Sequence, residues 1–162
     1  MKKYFVIILM LILSCSIYSQ PKQNSLYFEA LGNGGFYSLN YDRMFTESLG
    51  GRVGFMYLSE LNFIFTSLND LLVIPVTLNY LVGEGSSKLE LGGGIVYVSV
   101  SGGDFLGFES TNKGSSGVGG TATIGYRYQQ SDGGFLFRVG FTPLFGSGGF
   151  APSGGISFGF SF

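Results

Sequence analysis

Histidine and tryptophan are missing from this 162-residue chain, and cysteine occurs once. Without an imidazole, hydrolase triads and dyads built on a histidine base are excluded, and so are His-ligated metal centres. A single thiol, Cys15, leaves no intrachain disulfide. Charge is also scarce. Only 12% of residues are charged, against 45% hydrophobic ones, too few to coat a water-soluble surface of this size. The formal net charge is -1, and no basic patch of the kind a nucleic-acid partner requires is present. Long apolar runs are lacking after the first twenty residues. The segment Leu71 to Val76 is short and interrupted by Pro75, well below the roughly 18 residues of a spanning helix. In their place stand 28 Gly, 17 Phe and 10 Tyr. So much glycine argues against helices, and so many aromatics need a non-aqueous covering.

The first segment reads as a secretory leader. Lys2 and Lys3 form a positive n-region, Tyr4 to Leu13 a short apolar core, and Ser19 a small residue at a cut before Gln20. The chain therefore divides into a signal peptide, 1–19, and one further domain, 20–162. A second reading stays open at Cys15, because Ile12-Leu13-Ser14-Cys15 loosely resembles a lipobox. With the ordinary cut, the mature chain has no cysteine and no thiol chemistry.

An exported, hydrophobic chain without spanning helices points to a closed barrel, since backbone groups in lipid must be paired within the protein. The period-2 pattern supports this. Ala122, Ile124, Tyr126 and Tyr128 alternate with Thr121, Thr123, Gly125 and Arg127; Phe135, Phe137, Val139 and Phe141 alternate with Leu136, Arg138 and Gly140; Ile156, Phe158, Phe160 and Phe162 alternate with Ser157, Gly159 and Ser161. Large aromatics on one face and small or polar residues on the other form the lipid-out, lumen-in pattern. The same reading upstream predicts eight strands, near 25–32, 35–45, 50–59, 71–82, 87–100, 118–129, 134–142 and 154–162. Short turns at 46–48, 83–86 and 131–133 alternate with longer external segments at 60–70, 101–117 and 143–153. Gly32 to Gly35 reads as a tight external turn, or alternatively as a glycine kink inside one long strand. The expected fold is thus an all-β, eight-stranded antiparallel up-and-down transmembrane β-barrel after a signal peptide.

The leader ending Tyr18-Ser19-Gln20, the opening Leu26-Tyr27-Phe28-Glu29, the stretch Tyr37 to Arg43 and the terminal Ile156 to Phe162 resemble a small outer-membrane β-barrel protein of the porin-like or OmpA-transmembrane-type superfamily. A last strand of alternating aromatics ending in Phe is similar to the signal that the barrel-assembly machinery reads. The resemblance implies outer-membrane lipid and lipopolysaccharide as surroundings, and that machinery as the partner during biogenesis. It fixes class and not role.

An eight-stranded barrel is just wide enough for side chains to fill it. On the face opposite the aromatics lie Glu29, Asp42 and Glu90 with Arg52, Arg127 and Arg138, three acids and three bases expected to form a buried ionic network across the lumen. Solvated positions near the rims are the alternative. Tyr41, Tyr80, Tyr128 and Phe162 are expected in a girdle at the periplasmic interface, and Tyr57 and Tyr97 in one at the external interface. Leu61, Phe63, Ile64, Phe65 and Leu68 make an unusually apolar external loop, or else extend two strands. The glycine-rich stretches 92–94 and 117–120 superficially resemble phosphate loops, but no strand–helix alternation surrounds them, so they are read as wall curvature. Glu60, Asp70, Asp104 and Glu109 read as solvated loop charges, or as weak divalent-cation contacts. No catalytic, cofactor or metal site is expected. Three roles remain: a plugged barrel contributing to envelope structure, a binding module acting through external loops toward an unknown surface partner, and a narrow pore.

Overall fold

The computed structural model describes residues 24–63, 66–101, 103–105, 108–110 and 115–162, with 60–63, 66–69, 103–105 and 108–110 described by main chain alone. The expected leader, 1–19, with Cys15 in it, lies outside the described residues. The strands are β1 (Asn24–Leu31), β2 (Tyr37–Met44), β3 (Leu49–Phe63), β4 (Thr66–Val82), β5 (Ser87–Ser101), β6 (Gly103–Phe105), β7 (Phe108–Ser110), β8 (Ser115–Gln129), β9 (Gly134–Phe141), β10 (Leu144–Gly146), β11 (Gly149–Ala151) and β12 (Gly154–Ser161). Eight of them, β1, β2, β3, β4, β5, β8, β9 and β12, pair antiparallel in that order. The ring closes where β12 pairs with β1, from Ser25↔Ser161 to Leu31↔Gly155. Asn24 and Phe162 extend the seam by exchanging both main-chain hydrogen bonds, 3.1 and 2.8 Å. No strand edge is left at that seam, which is the condition for placing a sheet in hydrocarbon.

Burial is the reverse of a soluble protein's. Leu78 is 60% exposed, Phe160 55% and Phe28 49%, whereas Asp42 and Arg127 are 0% exposed. The alternation along each strand produces this, because successive side chains point to opposite faces. In β12 the outward Phe158 and Phe160 alternate with the inward Ser157 and Ser161. Such an outer face is stable only against lipid.

Gly32 to Gly34 form a short 3-10 turn between β1 and β2 rather than a kink within one strand. All three residues are buried, so the turn folds inward over the lumen. Gly32 and Gly35 have positive φ, 84° and 93°, and so does Leu31 at 59°. That conformation is strained for a residue with a Cβ.

The upper end of the barrel departs from the expected loops. The main chain of 60–63 and 66–69 continues β3 and β4, with Leu61↔Leu68 and Phe63↔Thr66 as register partners. Leu61, Phe63 and Leu68 therefore belong to strands and not to a loop; Ile64 and Phe65 lie outside the described residues. Alternating large apolar residues favour continuing a ladder over leaving it. The segment 143–153 likewise forms the β10–β11 hairpin, Leu144↔Ala151, with β10 still paired to β8 through Leu144↔Thr121. Its separation from β9 and β12 falls at Pro143 and Pro152, where a missing N–H interrupts the ladder. Within 101–117, β6 and β7 pair through Asp104↔Glu109. As a result β3, β4, β5 and β8, of 15 to 17 residues, form a taller wall than β1, β2, β9 and β12, of eight each.

Candidate functional site

The lumen has two layers of opposite chemistry. The lower layer, toward the short turns, contains the six charged residues. Glu29 (β1), Asp42 (β2), Arg52 (β3), Glu90 (β5), Arg127 (β8) and Arg138 (β9) are all buried and all face inward. Arg138 grips Glu90 with two parallel hydrogen bonds, Nε to Oε2 and Nη2 to Oε1, each 2.7 Å. This bidentate geometry is the strongest form of carboxylate recognition. Arg127 donates from Nη1 to Asp42 Oδ2 at 2.9 Å and stands 3.8 Å from Glu90 Oε1. Arg52 Nη2 donates to Glu29 Oε2, and Arg138 Nη1 lies 3.9 Å from Glu29 Oε1. The six residues thus form one connected, electrically neutral chain. Neutrality matters because a buried unpaired charge is very costly.

Neutral residues complete the arrangement. Tyr27, 1% exposed, stands between two guanidiniums: the Arg138 carbon lies 4.8 Å from its ring centroid and the Arg52 carbon 5.6 Å. Its hydroxyl accepts a 2.7 Å hydrogen bond from Arg138 Nη1. Asn40 Oδ1 accepts from Arg52 Nε and Nη2 at 2.9 and 2.7 Å, while its Nδ2 donates to Ser38 Oγ at 2.9 Å. Below, Gln129 Oε1 accepts from Arg127 Nε at 2.8 Å, and Ser25 and Ser161 bond across the closing seam at 2.9 Å. Tyr27 and Asn40 carry no charge and so give no charge signal, yet their parity, two residues from Glu29 and from Asp42, assigns them to the same face. Glycine makes the room. A Cβ on Gly155 would lie 2.9 Å from Gly32 Cα and 3.1 Å from Glu29 Oε1.

The upper layer is apolar. Met56, Leu71, Val73, Val96, Val98, Val100 and Leu144 are buried together, with Tyr37, Leu58 and Ala151 packed against them. Charge patterning gave no hint of this cluster.

On the outer surface Tyr41, Tyr57, Tyr80, Tyr97 and Phe162 are exposed, and Tyr128 is half-buried beside Phe135 at 6.4 Å. Tyr41, Tyr80, Tyr128 and Phe162 lie within three residues of a short turn or of the closing end of their strands; Tyr57 and Tyr97 lie toward the upper end. The Tyr57 hydroxyl donates to Asp70 Oδ1 at 2.8 Å and that of Tyr41 to Asn24 Oδ1 at 2.7 Å, the wet-tip behaviour of an interfacial aromatic. Gly92 to Gly94 and Gly117 to Gly120 lie inside β5 and β8 and form no loop.

No family model and no curated protein matches the chain. Among solved structures, the N-terminal β-barrel domain of Pseudomonas aeruginosa OprF aligns with a TM-score of 0.61 and 14% identity, covering 86% of this chain and 98% of that one. Ail, the attachment invasion locus protein of Yersinia pestis, solved in complex with the heparin analogue sucrose octasulfate, aligns with a TM-score of 0.51 and 11% identity, covering 86% and 98%. At such identities the likeness is one of fold. The chain shares with them the fold of a closed, eight-stranded antiparallel β-barrel.

Proposed function

We propose that this protein is a non-enzymatic barrel of a bacterial outer membrane, exported by its leader and inserted by the barrel-assembly machinery into lipid and lipopolysaccharide, where a lumen closed by its own side chains contributes to envelope structure. The observation that carries the reading is the stacking of a neutral, buried ionic chain beneath an apolar cluster. A hydrated ion passing upward meets Met56, Leu71 and Val98, which offer it no hydrogen bond, while an apolar solute meets Arg138 and Glu90. Neither class of solute has a continuous path. In planar bilayers the purified protein is expected to give no current steps above the bare membrane; stable, reproducible channels would refute the closed lumen.

A second reading, attachment through the external end, is favoured by one feature, the taller wall of β3, β4, β5 and β8. Its partner differs from a sulfated sugar. The segments 60–70, 101–117 and 143–153 carry Glu60, Asp70, Asp104 and Glu109 against a single Lys113, and a net negative surface repels a polyanion. Replacing 60–70 by a short polar turn is expected to abolish surface adhesion under this reading and to leave it unchanged under the first.

A further inference from the structure

Beside Arg138 the lumen contains a small polar cavity. Its volume is about 10 Å³, room for roughly one water molecule. Glu29, Glu90, Thr123, Arg138 and Thr142 bound it, together with the wall at Gly125, Gly140 and Gly155. These glycines are register partners on β8, β9 and β12, Gly125↔Gly140 and Gly140↔Gly155, so three adjacent strands of the wall lack side chains at that level. Thr123 and Thr142 are 6% and 2% exposed, and neither hydroxyl has a hydrogen-bond partner among the described residues. Two buried hydroxyls without partners in a densely hydrogen-bonded interior call for an occupant.

We infer that this cavity binds one ordered water molecule. Water offers two donors and two acceptors, and the lining supplies the complement: two hydroxyl protons from Thr123 and Thr142, and carboxylate oxygens from Glu29 and Glu90. Charge selects a neutral occupant. A cation would face the Arg138 guanidinium, an anion would face both carboxylates, and the three acids already balance the three guanidiniums of the lumen. Size excludes anything larger. The water joins the Thr123–Thr142 side of the wall to the ionic chain and supplies partners for the two threonine hydroxyls. This rests on the cavity and not on the barrel's role, so it stands or falls separately from the absence of conductance.

The test uses the sign of a stability change in the folded, full-length mature barrel. Thr142→Val and Thr123→Val each replace a hydroxyl by a methyl of similar shape. With the water bound, each variant removes one of its partners, and the temperature at which half the protein loses its folded gel mobility falls by ~2–5 °C. In a dry cavity the same change removes an unpaired buried hydroxyl, and the midpoint rises. A rise or no change in either variant overturns the inference. A wild-type midpoint that shifts when choline replaces sodium also overturns it, in favour of a cation. Independently of any variant, nuclear Overhauser transfer from a long-lived water to Thr123 and Thr142 is expected in the wild-type protein; its absence from both residues overturns the inference.

Discussion

Removing Arg138 tests whether the buried chain of charges holds the barrel together. In Arg138→Met the stem volume is kept and the guanidinium lost. Glu90, 1% exposed, then loses both 2.7 Å hydrogen bonds, and among the described residues its remaining ion-pair partner is Arg127 at 3.8 Å. Tyr27 loses the donor to its hydroxyl and one of its two stacked cations. Breaking one side of a buried pair costs about 3–5 kcal/mol, mostly from the stranded charge, which corresponds to a fall of about 2.2 to 3.7 decades in the folding equilibrium constant. The double variant Arg138→Met with Glu90→Gln strands no carboxylate. It should recover at least ~1 kcal/mol relative to the sum of the single changes, the size of coupling expected for residues in direct contact. Tryptophan is absent, so the assay is urea titration in lipid vesicles with the folded fraction read from gel mobility without boiling. Should Arg138→Met fall within ~1 kcal/mol of wild type, or should the two changes simply add, the argument that paired charges hold the lumen fails.

Two further predictions probe the outer wall and the inward turn. Val76→Arg puts a cation on an outward position that is 46% exposed in the middle of β4; near the bilayer midplane it should cost about 2–4 kcal/mol, read by the same titration, whereas an unchanged midpoint would mean that this face does not meet lipid. Leu31→Gly removes the Cβ at φ 59° and should stabilise the barrel by ~1 kcal/mol; a lower midpoint would show that the turn carries no strain there.

Parity made the barrel readable. Each of the six charged lumen residues sits an odd number of positions from the outward aromatics of its own strand, as Glu29 does from Phe28 and Arg127 from Tyr126 and Tyr128, while the one inward aromatic among them, Tyr27, stands two positions from Glu29. A strict two-residue period then places them on one face whatever the precise strand ends. Strand ends were less readable. Pro143 and Pro152 bound a segment that looks like a loop, yet the chain resumes pairing beyond Pro143, because one missing N–H breaks one rung and leaves the rest of the ladder available. In 60–70 apolar content was visible, but apolar content alone does not distinguish a sticky loop from a longer hairpin. The apolar upper layer was hidden for a different reason: valines that alternate with serines look the same whether the valines face lipid or a core.

That ambiguity is resolved within β5. In its lower half the inward residue is Glu90 and the outward ones are Leu89 and Leu91; in its upper half the inward residues are Val96, Val98 and Val100 and the outward ones pass from Tyr97 to Ser99 and Ser101. The geometry keeps its period while the polarity inverts. Across the ladder, β4 does the same, with Leu71 buried and Asp70 exposed, and Asp70 pairs with Ser101. A strand whose outside changes from apolar to polar without any break in pairing must pass from one solvent into another. Tyr57 and Tyr97 stand at that inversion, with the Tyr57 hydroxyl turned to Asp70. The wall above it needs an apolar inside for the reason any soluble sheet does, to remove hydrocarbon from water. The wall below has hydrocarbon outside already, which frees its interior to hold charge. The two-layer lumen therefore follows from a barrel taller than the film it crosses, and the closed lumen proposed here needs no separate plug domain to explain it.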